Sequence, residues 1–219
     1  NLYISSETNV KIGNVDVQFS QETDYPWSGS VKVVVKPSKN AVFNVNMRMP
    51  DWCKSAKVNV NGQSVDSKPN DNGYIAISRE WQKGDHIIID MEMPIQRICA
   101  NPKVNADIGR VALQRGPVVY CLEAEDNEGS VLDIALPRNA ELSASFKSDL
   151  LNGVVIIQGK GLRKGKMDWE NKLYQPVPDD IETKITAIPY YAWDNRLAGE
   201  MVIWLPEVTS LAEDKGSND

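Results

Sequence analysis

Three cysteines, one histidine and thirty aspartates and glutamates are the residues through which this 219-residue chain could carry chemistry. A zinc site or a metal-activated thiolate needs cysteines gathered at short spacings. Cys53, Cys99 and Cys121 stand far apart, with no Cys-x-x-Cys pair. This chain alone is therefore expected to build no metal site. One disulfide is allowed, but the spacing demands none. Each cysteine lies in an apolar, strand-like setting, where a free thiol behaves as a small core residue. His86 would have to be the base of any Ser-His-Asp arrangement. It falls on the polar face of a strand, near Asp90 and Glu92, and no Gly-x-Ser-x-Gly elbow accompanies it. It reads as a surface histidine.

Hydrolysis of a glycosidic bond would need two carboxylates facing each other across a cleft. Asp133, Glu182, Asp194 and Glu200 lie beside apolar runs and are the ones to inspect, but no spacing singles out a pair. No residue is assigned a catalytic role. Aromatic rings offer a different chemistry, because their faces attract the C–H faces of sugars. YPWSG places Tyr25 and Trp27 in a loop, where burial is not guaranteed. These two residues are the candidate carbohydrate-binding pair. Asp51-Trp52 at a strand end and the ring-dense PYYAWDNR (Pro189 to Arg196) are further clusters, of a kind that also plugs a sandwich end or packs on a neighbouring domain. GKGLRKGK is not a phosphate-binding loop, since no Gly-Lys-Ser/Thr follows at the required spacing.

The elements that would position these groups are strands. Val15, Val17 and Phe19 alternate with Asp16, Gln18 and Ser20. Val31, Val33 and Val35 share a face, as do Phe43, Val45, Met47 and Met49, and then Ile87, Ile89, Met91 and Met93. A period of two with one apolar face is the pattern of half-buried antiparallel strands. Asn61-Gly62 is a hairpin signal, because a type I′ turn needs two positive φ angles. In the second half RVALQR, VVYCLE, ELSASF, VVIIQG, IETKITAI and EMVIWL read as strands, with Gly116-Pro117 as a turn or bulge inside RVALQRGPVVYCLE. Arg110 and Arg115 are expected to anchor loops or a domain interface. No amphipathic helix is evident. Residues 159–180 read as one long irregular segment.

The fold class expected is all-β: two consecutive antiparallel β-sandwich domains, jelly-roll-like, at residues 1–100 and 101–208. The polar segment Ile98 to Gly109 is the expected boundary, and residues 209–219 are expected to form a disordered acidic tail. Hydrophobic residues make up 42% and charged residues 25% of the chain, so each half can bury a core without disulfides. The net charge of -6 argues against nucleic acid as a partner. No apolar run approaches the roughly 18 residues of a membrane span. A neutral ligand such as a glycan is not disfavoured. The chain opens directly on the strand-like NLYIS and is expected to be a fragment of a longer protein.

Several stretches, in order, resemble one known family: NLYISS, YPWSG, RMPDWC, GYIAISREWQKGD, MPIQRICANPKV, GRVALQRGPVVYCLE and PYYAWDNRLAGEMVIWL. Together they are similar to the carboxy-terminal part of glycoside hydrolase family 127, the β-L-arabinofuranosidase-like proteins, over nearly the whole chain. GRVALQRGPVVYCLE with PYYAWDNR is the most specific part. The resemblance implies that catalysis belongs to an amino-terminal (α/α)6 barrel that this sequence does not contain. It also implies a zinc site and cysteine nucleophile upstream of NLYISS in one branch. Cys53, Cys99 and Cys121 match none of those positions, so no cofactor is expected in this chain. The implied function is that of non-catalytic accessory domains bracing the barrel, inactive alone. The alternatives are a carbohydrate-binding module for arabinose-containing plant glycans and an independent hydrolase. The implied partners are the barrel of the same polypeptide, a second copy of the chain, and a glycan. The expected parent is periplasmic or secreted.

Overall fold

The computed structural model describes residues 3–165 and 167–209. Apart from Thr209, the expected acidic tail lies outside the described residues. The chain divides into two units, Asn1–Pro94 and Ile95–Asp219. Both are built from β-strands, and among the described residues the helical segments are three single-turn 3-10 segments, at Asn105–Asp107, Ala124–Asp126 and Tyr190–Ala192. Among the described residues no helix is long and apolar enough to cross a membrane. The all-β expectation holds.

In the first unit the strands are β1 (Ser6–Ile12), β2 (Val15–Thr23), β3 (Ser30–Pro37), β4 (Ala41–Arg48), β5 (Ala56–Val60), β6 (Gln63–Val65), β7 (Tyr74–Trp81) and β8 (Asp85–Met91). Six of them form one sheet in the order β1-β2-β3-β8-β5-β6, and β4 and β7 form a second, two-stranded sheet. The pairings are antiparallel. The alternation read from sequence decides which faces meet. Val31, Val33, Val35, Ile87 and Ile89 from the large sheet share one buried cluster with Phe43, Val45, Met47, Ile75 and Ile77 from the small one. Trp81 is fully buried, donates its indole N–H to the Phe43 carbonyl at 2.9 Å, and stacks on the Phe43 ring. The Asn61-Gly62 turn between β5 and β6 has φ of 51° and 81°, as a type I′ turn requires.

The second unit begins with β9 (Ile95–Ile98), which pairs with β10 (Arg110–Arg115) across the polar segment. Then come β11 (Val118–Glu123), β12 (Ile134–Pro137), β13 (Leu142–Lys147), β14 (Val154–Lys164), β15 (Asp180–Pro189), β16 (Met201–Val202) and β17 (Leu205–Val208). The main path runs β16-β11-β15-β14-β12-β17-β10-β9, with β13 added on β14 and a further β10–β11 pairing. That last pairing closes a circuit of six strands, β11-β15-β14-β12-β17-β10. Closure leaves those strands without free edges. The pairs are antiparallel except β12 with β17. Leu113, Tyr120, Leu122, Ile134, Leu136, Ile157, Ile185 and Leu205 fill the core.

Two local readings change. EMVIWL is not one strand: Met201 and Val202 pair with β11, whereas Leu205 and Pro206 pair with β10, so the run breaks to serve two neighbours of the closed circuit. The segment from residue 159 is not irregular throughout, because β14 continues to Lys164 and pairs with β15 as far as Asp180. Gly159 and Gly161 looked like loop residues but mark close packing. A Cβ at Gly161 would lie 2.8 Å from the Ile185 side chain, and one at Gly159 would lie 2.6 Å from Leu142.

Candidate functional site

Of the candidate groups, the thiols are the most decisively placed. All three are free. Cys53 is buried in the first unit and donates to the Ser55 carbonyl at 3.1 Å, and burial pushes its pKa up. Cys121 is fully buried in β11. Burial first, then the negative Glu123 and Asp126, push its thiol up to about 12. Such thiols are poor nucleophiles, since the thiolate is the reactive form. Cys99 is exposed. Among the described residues no group of three or more His, Cys, Asp or Glu is arranged to hold a metal.

The carboxylates are mostly engaged in holding loops. Asp133 accepts from the Arg163 guanidinium at 3.0 and 3.1 Å, while the same guanidinium donates to the Asn127 and Ser130 carbonyls. Glu182 pairs with Lys160 at 2.7 Å on the surface. Glu200 accepts from the Val131 amide at 3.1 Å and the Ser130 hydroxyl at 3.0 Å, and these bonds hold it below its ordinary range. Asp85, in the first unit, is also held low. Partial burial opposes this, but the Gln82 amide, the Asn61 side chain and Arg79 outweigh it. A general acid for glycoside cleavage needs the opposite shift.

The strongest charged cluster escaped the sequence reading. Glu123, at the end of β11, is 2% exposed and pairs with Arg196, which also binds Asp126 through two nitrogens, one at 2.8 Å. The Asp194 amide donates to Glu123 at 3.1 Å. Bonds to Asp126 first, then Glu123, raise the Arg196 pKa against the effect of burial. Arg196 lies 70 and 73 residues from Asp126 and Glu123 in sequence, so no local motif could reveal the cluster. The only local signal was a Glu and an Asp flanking the end of an otherwise apolar strand. Arg110, expected to anchor a loop, donates to the Trp204 carbonyl at 3.0 Å.

The aromatic candidates differ between the units. Tyr25 is half-buried, with its ring 5.8 Å from Tyr3 and 6.3 Å from Trp52, and burial raises its pKa. It packs against the core of the first unit. Trp27 sits in the following turn, half-buried, with its amide bonded to the Asp24 carbonyl at 2.8 Å. In the second unit Tyr190, Tyr191 and Trp193 are exposed around the 3-10 turn that ends β15. Two grooves are among those on the surface. One of about 540 Å³ in the first unit is lined by Phe19, Gln21, Asn44, Asn46 and Tyr74, among others. Another of about 740 Å³ in the second is lined by Glu141, Leu142, Gln158, Lys160 and Lys184, among others. None of the four inspected carboxylates lines either groove.

Comparisons with known proteins agree with this division. Residues 1–93 match the family described as Beta-L-arabinofuranosidase, GH127 middle domain, and residues 95–206 match the Glycoside hydrolase family 127 C-terminal domain. The non-reducing end β-L-arabinofuranosidase of Bifidobacterium longum subsp. longum is 30% identical over 198 residues, which is 84% of this chain and 29% of that protein. The crystal structure of a GH127 β-L-arabinofuranosidase from Geobacillus stearothermophilus T6 is 44% identical with a TM-score of 0.89, over 94% of this chain and 33% of that one. A structure of a GH127 β-arabinofuranosidase is 32% identical with a TM-score of 0.86, over 96% and 36%. The chain thus spans about a third of the length of the relatives it matches. With both units matched in order, the chain belongs to glycoside hydrolase family 127, as that family's middle and C-terminal domains.

Proposed function

We propose that these two units are non-catalytic accessory domains of a β-L-arabinofuranosidase-like hydrolase, bracing a catalytic barrel carried elsewhere in the polypeptide. The observation that carries this reading is the engagement of three of the four inspected carboxylates and the burial of two of the three thiols. Asp133 and Glu182 are held by Arg163 and Lys160, Glu200 by the Ser130 hydroxyl and the Val131 amide, and Cys53 and Cys121 are buried. A surface feature supports bracing. The first unit exposes few large apolar side chains, whereas the second exposes many, among them Ile108, Leu132, Phe146, Leu173 and Tyr174. Exposed apolar surface on that scale fits a partner domain.

The test has two arms. The purified, folded chain is expected to show no turnover of an aryl β-L-arabinofuranoside; turnover would overturn the non-catalytic reading. Deleting the matching segment from the Geobacillus enzyme is expected to lower the Tm of what remains. An unchanged Tm would remove the bracing role.

A further inference from the structure

The loop Pro189–Arg196 is built in a way that closing the second unit does not require. Its anchor is the Glu123–Arg196–Asp126 cluster, with Glu123 buried and the other two half-buried, tied in further by the Asp194 amide on Glu123. Taking charges even partly out of water carries a desolvation penalty. A loop that only capped a strand could be fixed by apolar packing instead. Within the loop the Trp193 amide bonds to the Tyr190 carbonyl, and the Asn195 side chain bonds to the Ala192 and Trp193 carbonyls. The backbone is therefore locked from both sides.

What this frame holds outward is a pair of rings. Tyr190 and Trp193 are 42% and 37% exposed. Their planes are parallel to within 9°, with centroids 6.2 Å apart. Beside them Asp194 adopts a left-handed backbone, φ 61°, and its side chain is exposed. Ring faces carry partial negative charge and attract the polarised C–H groups of a sugar face. An adjacent carboxylate can accept hydroxyl protons at the rim of the same sugar. Rigid placement of both lowers the ordering cost of binding.

We propose that Tyr190, Trp193 and Asp194 form a binding site for a neutral saccharide on the second unit. The sugar lies against the ring pair and donates hydroxyl hydrogen bonds to Asp194. The Arg196 cluster positions the loop without touching the ligand. Asp194 and the net charge of -6 select against acidic sugars. A protein partner is the less favoured occupant, because charged side chains are depleted at the centre of protein interfaces and Asp194 stands next to the rings.

The experiment titrates the purified chain with neutral arabino- and gluco-oligosaccharides, and with oligogalacturonate, following tryptophan fluorescence and NMR shifts. The expected result is saturable binding of a neutral sugar, little changed by added salt, and none of oligogalacturonate. Trp193→Ala and Tyr190→Ala should each weaken binding about tenfold, the value of one such ring contact. Trp193→Phe should retain most of it, and Trp27→Ala should leave it unchanged. If circular dichroism shows Trp193→Ala to be misfolded, Asp194→Asn and Tyr190→Ala decide the matter. No saturable binding by the folded chain would overturn the proposal. So would binding that survives both ring removals, preference for the acidic sugar, or self-association abolished by the same substitutions without any sugar effect. None of these outcomes bears on the accessory reading, which stands or falls on turnover and on the Tm of the truncated relative.

Discussion

Cys99, Cys53 and Cys121 show at the residue scale how far burial separates like side chains. Only Cys99 is exposed. One thiol per chain should react promptly with a disulfide reagent in the native state, and all three after denaturation. More than one fast thiol would contradict the burial of Cys53 and Cys121. The same burial sets a pH dependence. Cys121 is pushed from 9.0 up to about 12, and Tyr120 from 10.0 up to about 12, in both cases by desolvation first. Between those limits the unfolded chain has released protons that the folded chain still holds. Stability is therefore complete below about pH 9 and falls as pH rises towards 12. Thermal melts across this range should show the fall, and Cys121→Ala should make it shallower. The apolar strand setting read from sequence holds for Cys121 in β11, whereas Cys53 lies buried just outside a strand and Cys99 lies exposed just past the end of β9. The sequence could not find the Glu123–Arg196–Asp126 cluster, because its members meet only after β11 and the end of β15 have paired.

At the element scale, the loop after β11 is held by side chains distant in sequence. Glu200 caps it through the Ser130 hydroxyl and the Val131 amide, and those bonds lower its pKa. A depressed carboxylate contributes stability above its unfolded value of 4.5, and that contribution is lost as pH falls through the folded value. Hydrogen-exchange protection at Val131, corrected for intrinsic rates, should therefore decline in acid and should already be reduced in Glu200→Ala at neutral pH. Equal protection in both proteins would show that the cap is idle. In the first unit, Trp81 links β7 to β4 by packing and by its bond to the Phe43 carbonyl. Trp81→Ala should destabilise that unit by about 3–5 kcal/mol in denaturant titration. Strand existence and facing were readable here because a period of two needs only local information. The split of EMVIWL and the extension of β14 through Gly159 and Gly161 were not, since both depend on which strands lie alongside.

For the whole molecule, the two buried clusters are composed of separate stretches, one from Tyr3 to Met91 and one from Val111 to Leu205. Residues 1–94 expressed alone should give a cooperative melt and a β-type circular dichroism spectrum. A non-cooperative product would mean that the first core is insufficient by itself. The sequence by itself determined the all-β class, the faces of most strands and the Asn61-Gly62 turn, because alternation and turn chemistry act over a few residues. The family motifs added a kinship that no local pattern carries. Only the tertiary structure decided that the strands of the second unit close into a circuit, that Tyr25 packs on Tyr3 and Trp52, and that Tyr190 and Trp193 face outward on a locked loop. Ring exposure and ion pairing depend on neighbours dozens of residues away, and such neighbours are chosen by strand pairing rather than by the residues on either side.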